Sequence, residues 1–326
     1  MIMKYSAEVL GLRTECSSCA EVCTQSSVLS PDRTTSHSTR LPKDGRQVAG
    51  YQSSKERGFT LVEMIMVIVI TGIIGGMVAV FLKAPIQQYM DVARRADMTD
   101  IADTALRRIG RDLRLALPNS VQVRGAISGA GSCNGSETCF LDFLSTSGGG
   151  RYRRSSGGSN NILDFTIADT SFEVLGTPPT CVLNDQVVVY NLGISPADAY
   201  LPGGANNNRT TCSVGSTSPV NITGNKFPFD SPNASFQIVH EQVRYVCNPG
   251  AGTLTRYSFA GNAIVAPSAT IPAGGALLAN FVSSCSFAYD AVVVAQRSGL
   301  VTMNLGITES GETVTLYSAT HVSNVP

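Results

Sequence analysis

One uninterrupted apolar run constrains this sequence more than any other feature. It extends from Phe59 to Leu82 and contains a single charged residue, Glu63, close to its start. About 20 apolar residues are enough to cross the hydrocarbon core of a bilayer as a helix. An unpaired carboxylate is costly in such a segment. The run therefore predicts a membrane-spanning helix whose one carboxylate needs a partner.

Charges on either side of the run predict its orientation. Lys55 and Arg57 precede it, which by the positive-inside rule marks the cytoplasmic flank. Residues 1–58 contain eight Lys/Arg and six Asp/Glu, so the rest of the chain, with 24 of each in total, holds 16 and 18. We therefore expect a single-pass inner-membrane protein whose C-terminal part lies in the periplasm. The zero net charge is not typical of a nucleic-acid-binding protein, so no nucleic acid is expected as a partner.

The first 58 residues are predicted to be a cytoplasmic leader outside the fold. They are polar, and no apolar periodicity runs through them. Cys16, Cys19 and Cys23 lie here, but a second ligand pair for a zinc site is missing. A cleaved secretory signal is the rival interpretation of the apolar run, although such signals have a shorter apolar region and a cleavage site after it.

Residues 59–117 are predicted to form one long helix, transmembrane over 59–82 and amphipathic over 83–117. Leu106, Ile109, Leu113 and Leu117 are spaced by three or four and share one helix face. Pro85 predicts a kink. The helix is expected to end before Pro118, because the residue before a proline disfavours helical angles.

Residues 118–326 are predicted to form a β-rich periplasmic domain, which makes the fold α+β with a mainly antiparallel sheet. Short runs of β-branched and aromatic residues alternate there with Gly, Ser, Asn and Pro. A hairpin turn is predicted at 309–311, and surface loops are predicted at 145–161 and 202–219. The predicted strands are Ser120–Val123, Thr138–Leu144, Gln186–Tyr190, Ser235–Cys247, Thr253–Ala260, Leu278–Tyr289, Leu300–Ile307 and Thr313–His321.

Six cysteines follow the apolar run, and an even number in an oxidising compartment indicates disulfides. Six cysteines allow fifteen pairings. We favour sequential pairing, with the short insert between the first two as a turn. The six residues are Cys133, Cys139, Cys181, Cys212, Cys247 and Cys285.

The domain has no recognisable catalytic, cofactor or metal signature, so we expect no enzymatic activity, cofactor or metal. His240 and Glu241 are adjacent on a predicted strand and would face opposite ways. Gly148–Gly150 lacks the Lys-Ser/Thr of a phosphate loop and is interpreted as a flexible link. Arg151, Arg153 and Arg154 are interpreted as a solvated loop. A membrane-anchored periplasmic enzyme or binding protein stays open as an alternative.

The junction Gly58-Phe59-Thr60-Leu61-Val62-Glu63 resembles that of the prepilin family of type IV pili and type II secretion systems. The resemblance implies that a prepilin peptidase cleaves between Gly58 and Phe59 and that the new amino group of Phe59 is methylated. It also implies that this amine pairs with Glu63 of a neighbouring subunit in a filament. Glu63 would then determine subunit register rather than perform chemistry.

Further segments resemble the MshO-type minor pilins of mannose-sensitive haemagglutinin (MSHA) pili. The resemblance implies a minor pilin that initiates such a pilus with other major and minor pilins and an inner-membrane assembly platform, and that moves from the membrane to the pilus on the cell surface. A J-type pseudopilin of type II secretion is the alternative. The leader is longer than prepilin leaders usually are, and major pilins carry a proline earlier than Pro85. The similar segments are 89–96, 107–114, 117–121, 188–191 and 311–326.

Overall fold

The computed structural model describes residues 58–155, 161–201, 207–215, 218–294 and 298–326. The predicted leader apart from Gly58, including Cys16, Cys19 and Cys23, lies outside these residues. One long helix is followed by antiparallel strands. The α+β class with a mainly antiparallel sheet, predicted from the sequence, is confirmed.

The long helix, α1, spans Leu61–Leu113 and is continuous through Pro85. The predicted limits were Phe59 and Leu117, so α1 begins two residues later and ends four residues earlier than predicted. Its end is determined by strand pairing rather than by Pro118. The Leu117 N–H donates to the Leu144 carbonyl at 2.7 Å, and Ala116 forms an isolated bridge with Ser145. The chain has therefore left the helix before the proline is reached.

The C-terminal part of α1 packs on the β-rich domain through one face. Its buried residues are spaced by three or four, as expected for a helix with one apolar side. Gly110 belongs to this face, and a Cβ there would lie 3.0 Å from Thr320 Oγ1. A side chain at this position would therefore require Thr320 to move, and glycine permits the close approach of helix and sheet. The buried residues are Met98, Ala102, Ala105, Leu106, Ile109, Gly110 and Leu113.

Fifteen strands occur in the described part of the chain, and all of their pairings are antiparallel. They are β1 (Gln122–Gly125), β2 (Gly129–Ala130), β3 (Ser132–Cys133), β4 (Cys139–Tyr152), β5 (Asp169–Phe172), β6 (Val174–Leu175), β7 (Gln186–Val189), β8 (Arg209–Thr211), β9 (Val220–Asn225), β10 (Ser235–Asn248), β11 (Thr253–Ala260), β12 (Ala276–Ala279), β13 (Val282–Val294), β14 (Ser298–Glu309) and β15 (Glu312–Ser323). A 3-10 turn spans Gly261–Ala263.

These strands form two main sheets and one small one. The larger has nine strands with the path β12-β11-β10-β4-β1-β2, to which β6, β7 and β8 add at the side. The second has the order β15-β14-β13-β3, and β5 pairs with β9. One apolar core contains the buried face of α1 together with residues of both main sheets. A second core, rich in aromatic side chains, lies around Tyr152, Phe172 and Phe236.

The predicted loop 145–161 is wrong in its first half, because β4 continues to Tyr152. Gly148, Gly149 and Gly150 lie opposite residues of β10 instead of forming a flexible link. A Cβ on Gly149 would lie 2.7 Å from the Phe236 carbonyl oxygen. The glycines therefore permit a close strand approach. A glycine run is typical of loops, which explains the misassignment.

The predicted strand Ser120–Val123 overlaps β1 only at residues 122 and 123. The remaining predicted strands agree with the structure except at one break. The predicted strand Leu278–Tyr289 is split into β12 and β13 at Asn280 and Phe281, where Phe281 has a φ of 55°. The hairpin turn at 309–311 is confirmed, since Glu309 pairs with Glu312 across Ser310 and Gly311. Several short strands were not predicted, among them β9. The predicted loop 202–219 is wrong at Arg209–Thr211, which forms β8.

Three disulfides join the six cysteines, and their pairs are those that sequential pairing produces: Cys133–Cys139, Cys181–Cys212 and Cys247–Cys285. All six side chains are buried. The third bridge joins β10 of the nine-stranded sheet to β13 of the four-stranded sheet. It therefore fixes the two main sheets covalently.

An ion pair lies within the nine-stranded sheet. Asp142 on β4 and Arg244 on β10 are about 2% exposed or less, with Arg244 Nε 2.7 Å from Asp142 Oδ1. Burial raises the pKa of the Asp142 carboxyl even though Arg244 opposes the shift. Burial and attraction thus oppose each other. Asp142 and Arg244 lie opposite each other in the pairing of β4 with β10, so the pair forms only at this register.

Replacing Asp142 by Asn should lower the free energy of unfolding by about 3–5 kcal/mol, because Arg244 stays buried without a counter-charge. The double variant Asp142→Leu/Arg244→Met should recover most of this loss. Urea denaturation of the detergent-solubilised chain, followed by far-UV circular dichroism, measures both. Glu312→Gln, at an ion pair with an exposed arginine, is the control and should have a much smaller effect. Equal losses in the single and double variants would contradict the argument.

Candidate functional site

The junction residues lie directly before α1 and are exposed. Gly58, Phe59 and Thr60 have no regular secondary structure, and Phe59 is 78% exposed. A Cβ added at Gly58 would meet nothing within 4 Å, and its φ is not in the left-handed region. The described fold therefore does not itself require glycine here. A protein that binds the extended segment closely would require it.

Thr60 caps the first turn of α1. Its carbonyl oxygen accepts hydrogen bonds from the Glu63 and Met64 N–H groups at 3.1 and 3.2 Å, and its Oγ1 accepts from the Glu63 N–H at 3.3 Å. Sequence reasoning missed this role. The Thr-x-x-Glu pattern of a capping box would have indicated it. The cap fixes the first turn, on which Glu63 lies exposed to solvent.

The first half of α1 has no apolar partner in the described part of the chain. All residues from 58 to 90 are exposed, and α1 is long and apolar enough to cross a membrane. Seventeen large apolar side chains between Phe59 and Leu82 are about half exposed or more. At about 1.5–3 kcal/mol for burying each one fully, leaving them in water forfeits on the order of 20 kcal/mol. That exceeds the net stability of a typical domain, so lipid or other subunits must cover this surface.

Three glycines lie on this uncovered half. Two of them, Gly75 and Gly76, follow Gly72 by three and four residues. A Cβ on any of the three would meet nothing within 4 Å. Each costs helix propensity relative to alanine, with no packing gain inside the described chain. Small residues at such spacing allow the backbones of two apolar helices to approach closely. The glycines therefore indicate contact with another helix.

The second half of α1 is held to the domain by polar contacts as well as by its buried face. Arg95 binds Glu312 on β15 through two hydrogen bonds of 3.0 and 3.1 Å, which lower the pKa of the Glu312 carboxyl. Asp112 accepts hydrogen bonds from Tyr245 at 2.8 Å and from Arg256 at 2.9 Å. The uncovered and the anchored parts are therefore two regions of one continuous helix.

Three segments that carried the finer sequence resemblance meet just beyond α1. Asn119, in the left-handed region with a φ of 58°, donates through Nδ2 to the Asn191 carbonyl at 2.9 Å and to the Asn324 carbonyl at 3.4 Å. Asn191 donates in turn to the Pro118 carbonyl at 2.8 Å. The chain after the helix, the end of β7 and the C-terminal tail are thereby joined.

The histidine, glutamate and arginine residues considered above as possible site residues bind other residues of the fold. His240 Nδ1 lies 2.8 Å from Asp185 Oδ1, whereas Glu241 binds Arg256. Arg153 binds Glu173 at 2.6 Å, and Arg154 contacts Asp230 and the Ser231 carbonyl. Arg151 donates to the Asn233 carbonyl. Within the described residues, no group of three or more His, Cys, Asp or Glu side chains could hold a metal.

One known family motif covers the junction and the start of α1. Residues 53–79 match the prokaryotic N-terminal methylation motif. This motif supports a type IV pilin-like or pseudopilin protein, a structural role, processing by a prepilin peptidase and assembly with other pilins. Together with the long apolar helix, it fits a protein anchored in the inner membrane. No curated protein and no solved structure matched the chain.

The capping role of Thr60 can be tested by replacing it with valine, which keeps the shape and removes the acceptor. Losing a helix cap costs about 1 kcal/mol, so the Glu63 amide should exchange its proton about fivefold faster in detergent micelles. NMR-detected hydrogen exchange measures the rate, and Thr60→Ser should behave as wild type. Equal exchange in the valine and serine variants would show that the hydroxyl does not cap the helix.

Proposed function

We propose that this chain is a minor pilin that takes part in initiating an MSHA-like type IV pilus. The single observation that carries the proposal is an apolar helix, uncovered from residue 58 to 90, that begins at a methylation-motif junction. The C-terminal domain would lie in the periplasm before assembly, and the whole subunit would then leave the membrane for the pilus. Its partners would be other pilins and the inner-membrane assembly platform.

The proposed mature protein starts at Phe59, after the peptidase removes residues 1–58. The exposed junction supports this assignment, because an enzyme can reach it and nothing in the described fold occupies the space beside Gly58. Cleavage creates an amino group at Phe59, which the same pathway would methylate. Thr60 would then be the second residue of the mature chain and would still cap α1.

Glu63 would be the residue that positions a neighbouring subunit. It lies in the first turn of an apolar helix and is exposed, so a carboxylate there becomes costly when lipid or packed helices exclude water. The cationic amine of Phe59 on an adjacent subunit would supply the counter-charge. Removing one member of a buried pair leaves the other unpaired, at a cost of about 3–5 kcal/mol.

Replacing Glu63 by Val should leave cleavage nearly unchanged and strongly reduce incorporation into the pilus, because the amine of the neighbour loses its partner. An immunoblot of sheared pili, normalised to membrane-bound mature protein, measures incorporation. Glu63→Asp keeps the charge and should retain part of it. Wild-type incorporation of the valine variant would contradict the pairing.

Replacing Gly58 by Leu should leave uncut precursor in the inner membrane. The fold has room for this side chain, so the block would arise in the peptidase. Intact mass of the membrane-extracted protein distinguishes the precursor from a chain that starts at N-methylated Phe59. Gly72→Leu, at an equally open position beyond the junction, is the control and should be cleaved normally. Cleavage of the Gly58 variant at the wild-type rate would contradict the assignment.

A J-type pseudopilin of type II secretion is the second candidate, since the methylation motif fits both systems. Deletion of the gene separates them. Loss of surface pili with normal protein secretion supports the minor pilin, and the reverse result supports the pseudopilin.

A further inference from the structure

A cavity in the β-rich domain has a floor of buried polar side chains. It has a volume of about 240 Å³ and lies where β7, β8 and β9 come together. Gln186, Arg209, Thr210 and Asn225 form the floor, and each is 8% exposed or less. Thr211, Thr223 and Gly224 line it from exposed positions. In the described chain, these lining side chains have no buried nitrogen or oxygen atom without a hydrogen-bond partner. The polar atoms that they leave unpaired are therefore open to solvent and can bind a polar ligand.

Arg209 is the charged group of this floor. No Asp or Glu of the described residues forms an ion pair with it. Its Nε and Nη2 both donate to the Leu201 carbonyl, at 3.3 and 3.1 Å. Burial lowers the pKa of the Arg209 guanidinium, because desolvation outweighs the attraction of Asp198. A guanidinium has five N–H donors in a fork that matches a carboxylate. The cavity therefore holds a buried cation that has no carboxylate in ion-pair contact within the described chain.

The neighbouring amides leave acceptors available. The Gln186 amide nitrogen donates to Thr211 Oγ1 at 3.1 Å, and the Asn225 amide nitrogen donates to the Asn207 carbonyl at 2.7 Å. Neither amide oxygen accepts a hydrogen bond from the described residues. Amide oxygens accept from hydroxyl groups. The floor thus combines a cation with acceptors for hydroxyls.

We propose that this cavity binds a small hydroxylated carboxylic acid of about the size of one sugar acid. Arg209 binds the carboxylate, and the amide oxygens of Gln186 and Asn225 accept hydrogen bonds from ligand hydroxyls. The volume is below the roughly 300–1,000 Å³ of sites for drug-sized ligands, which limits the ligand to about one ring. The inference concerns the globular domain and does not depend on which filament the chain joins.

Calorimetric titration of the detergent-solubilised full chain tests the proposal with two matched probes. Glucuronate and glucose differ at one carbon, which carries a carboxylate in the first and a hydroxymethyl group in the second. Glucuronate or its stereoisomer galacturonate should bind saturably, at least about tenfold more tightly than the matching neutral sugar. Absence of saturable binding by both acids, or equal binding of acid and neutral sugar, would overturn the proposal.

A substitution at Gly224 tests the site without disturbing its floor. A Cβ there would meet only Thr170 Cγ2, at an ordinary 3.5 Å. Gly224→Asp adds a negative charge beside the cavity and should weaken binding of the acid about tenfold. Gly224→Asn has nearly the same shape without the charge and should bind within about twofold of wild type. Equal affinities of the two variants would show that the acid binds elsewhere or adventitiously.

Arg209→Gln tests the cation directly and should abolish measurable binding of the acid. Arg111→Gln is the control. It removes the same charge at an exposed residue of α1 that does not line the cavity, and it should leave the affinity for the acid unchanged. Circular dichroism reports whether the Arg209 variant folds, and if it does not, the Gly224 pair decides the question. Retained binding in a folded Arg209 variant would contradict the assignment.

Discussion

An apolar helix that its own domain leaves uncovered is the constraint on which the rest of this structure depends. From Leu61 to Met90 every residue of α1 is exposed, whereas from Met98 the helix buries one face against the sheets. The free energy lost by exposing the first part to water exceeds what a domain of this kind gains by folding. The uncovered part is therefore stable only when lipid or neighbouring helices surround it, and the domain must hold the remainder of the helix.

The anchored part of α1 shows how the domain does this. Ala102, Ala105 and Gly110 allow the helix to lie close to the sheet, where a Cβ at position 110 would lie only 3.0 Å from Thr320 Oγ1. Asp112 and Arg95 add polar contacts that act only at one register along the helix. Apolar packing supplies the attraction, and the polar contacts specify the position. The disulfide between Cys247 and Cys285 then joins the two main sheets, and residues of both sheets contact the helix.

The sequence predicted the features that depend on local pattern. The apolar run, the hairpin at 309–311 and the antiparallel class all follow from periodicity and turn residues. Gly148–Gly150 misled the prediction because the close approach of Phe236, which makes glycine suitable in a strand, is a contact across the sheet. The end of α1 was misplaced for the same reason, since Leu144 competes for the Leu117 N–H. The polar cavity could not be predicted, because Gln186, Arg209 and Asn225 lie on three separate strands, two of which were not predicted.

The glycines of this sequence fall into two groups, those that contacts within the chain explain and those that such contacts do not explain. Gly110, Gly149 and Gly150 are explained by contacts inside the chain, where a Cβ would meet an atom at 3.0 Å or less. Gly58, Gly72, Gly75 and Gly76 meet nothing within 4 Å, yet the three in α1 weaken the helix that contains them. A residue that costs stability and gains no contact in its own chain is explained by a contact with another molecule. The junction and the uncovered half of α1 are therefore shaped by the enzyme, lipid and subunits that bind them, and the domain by its own packing.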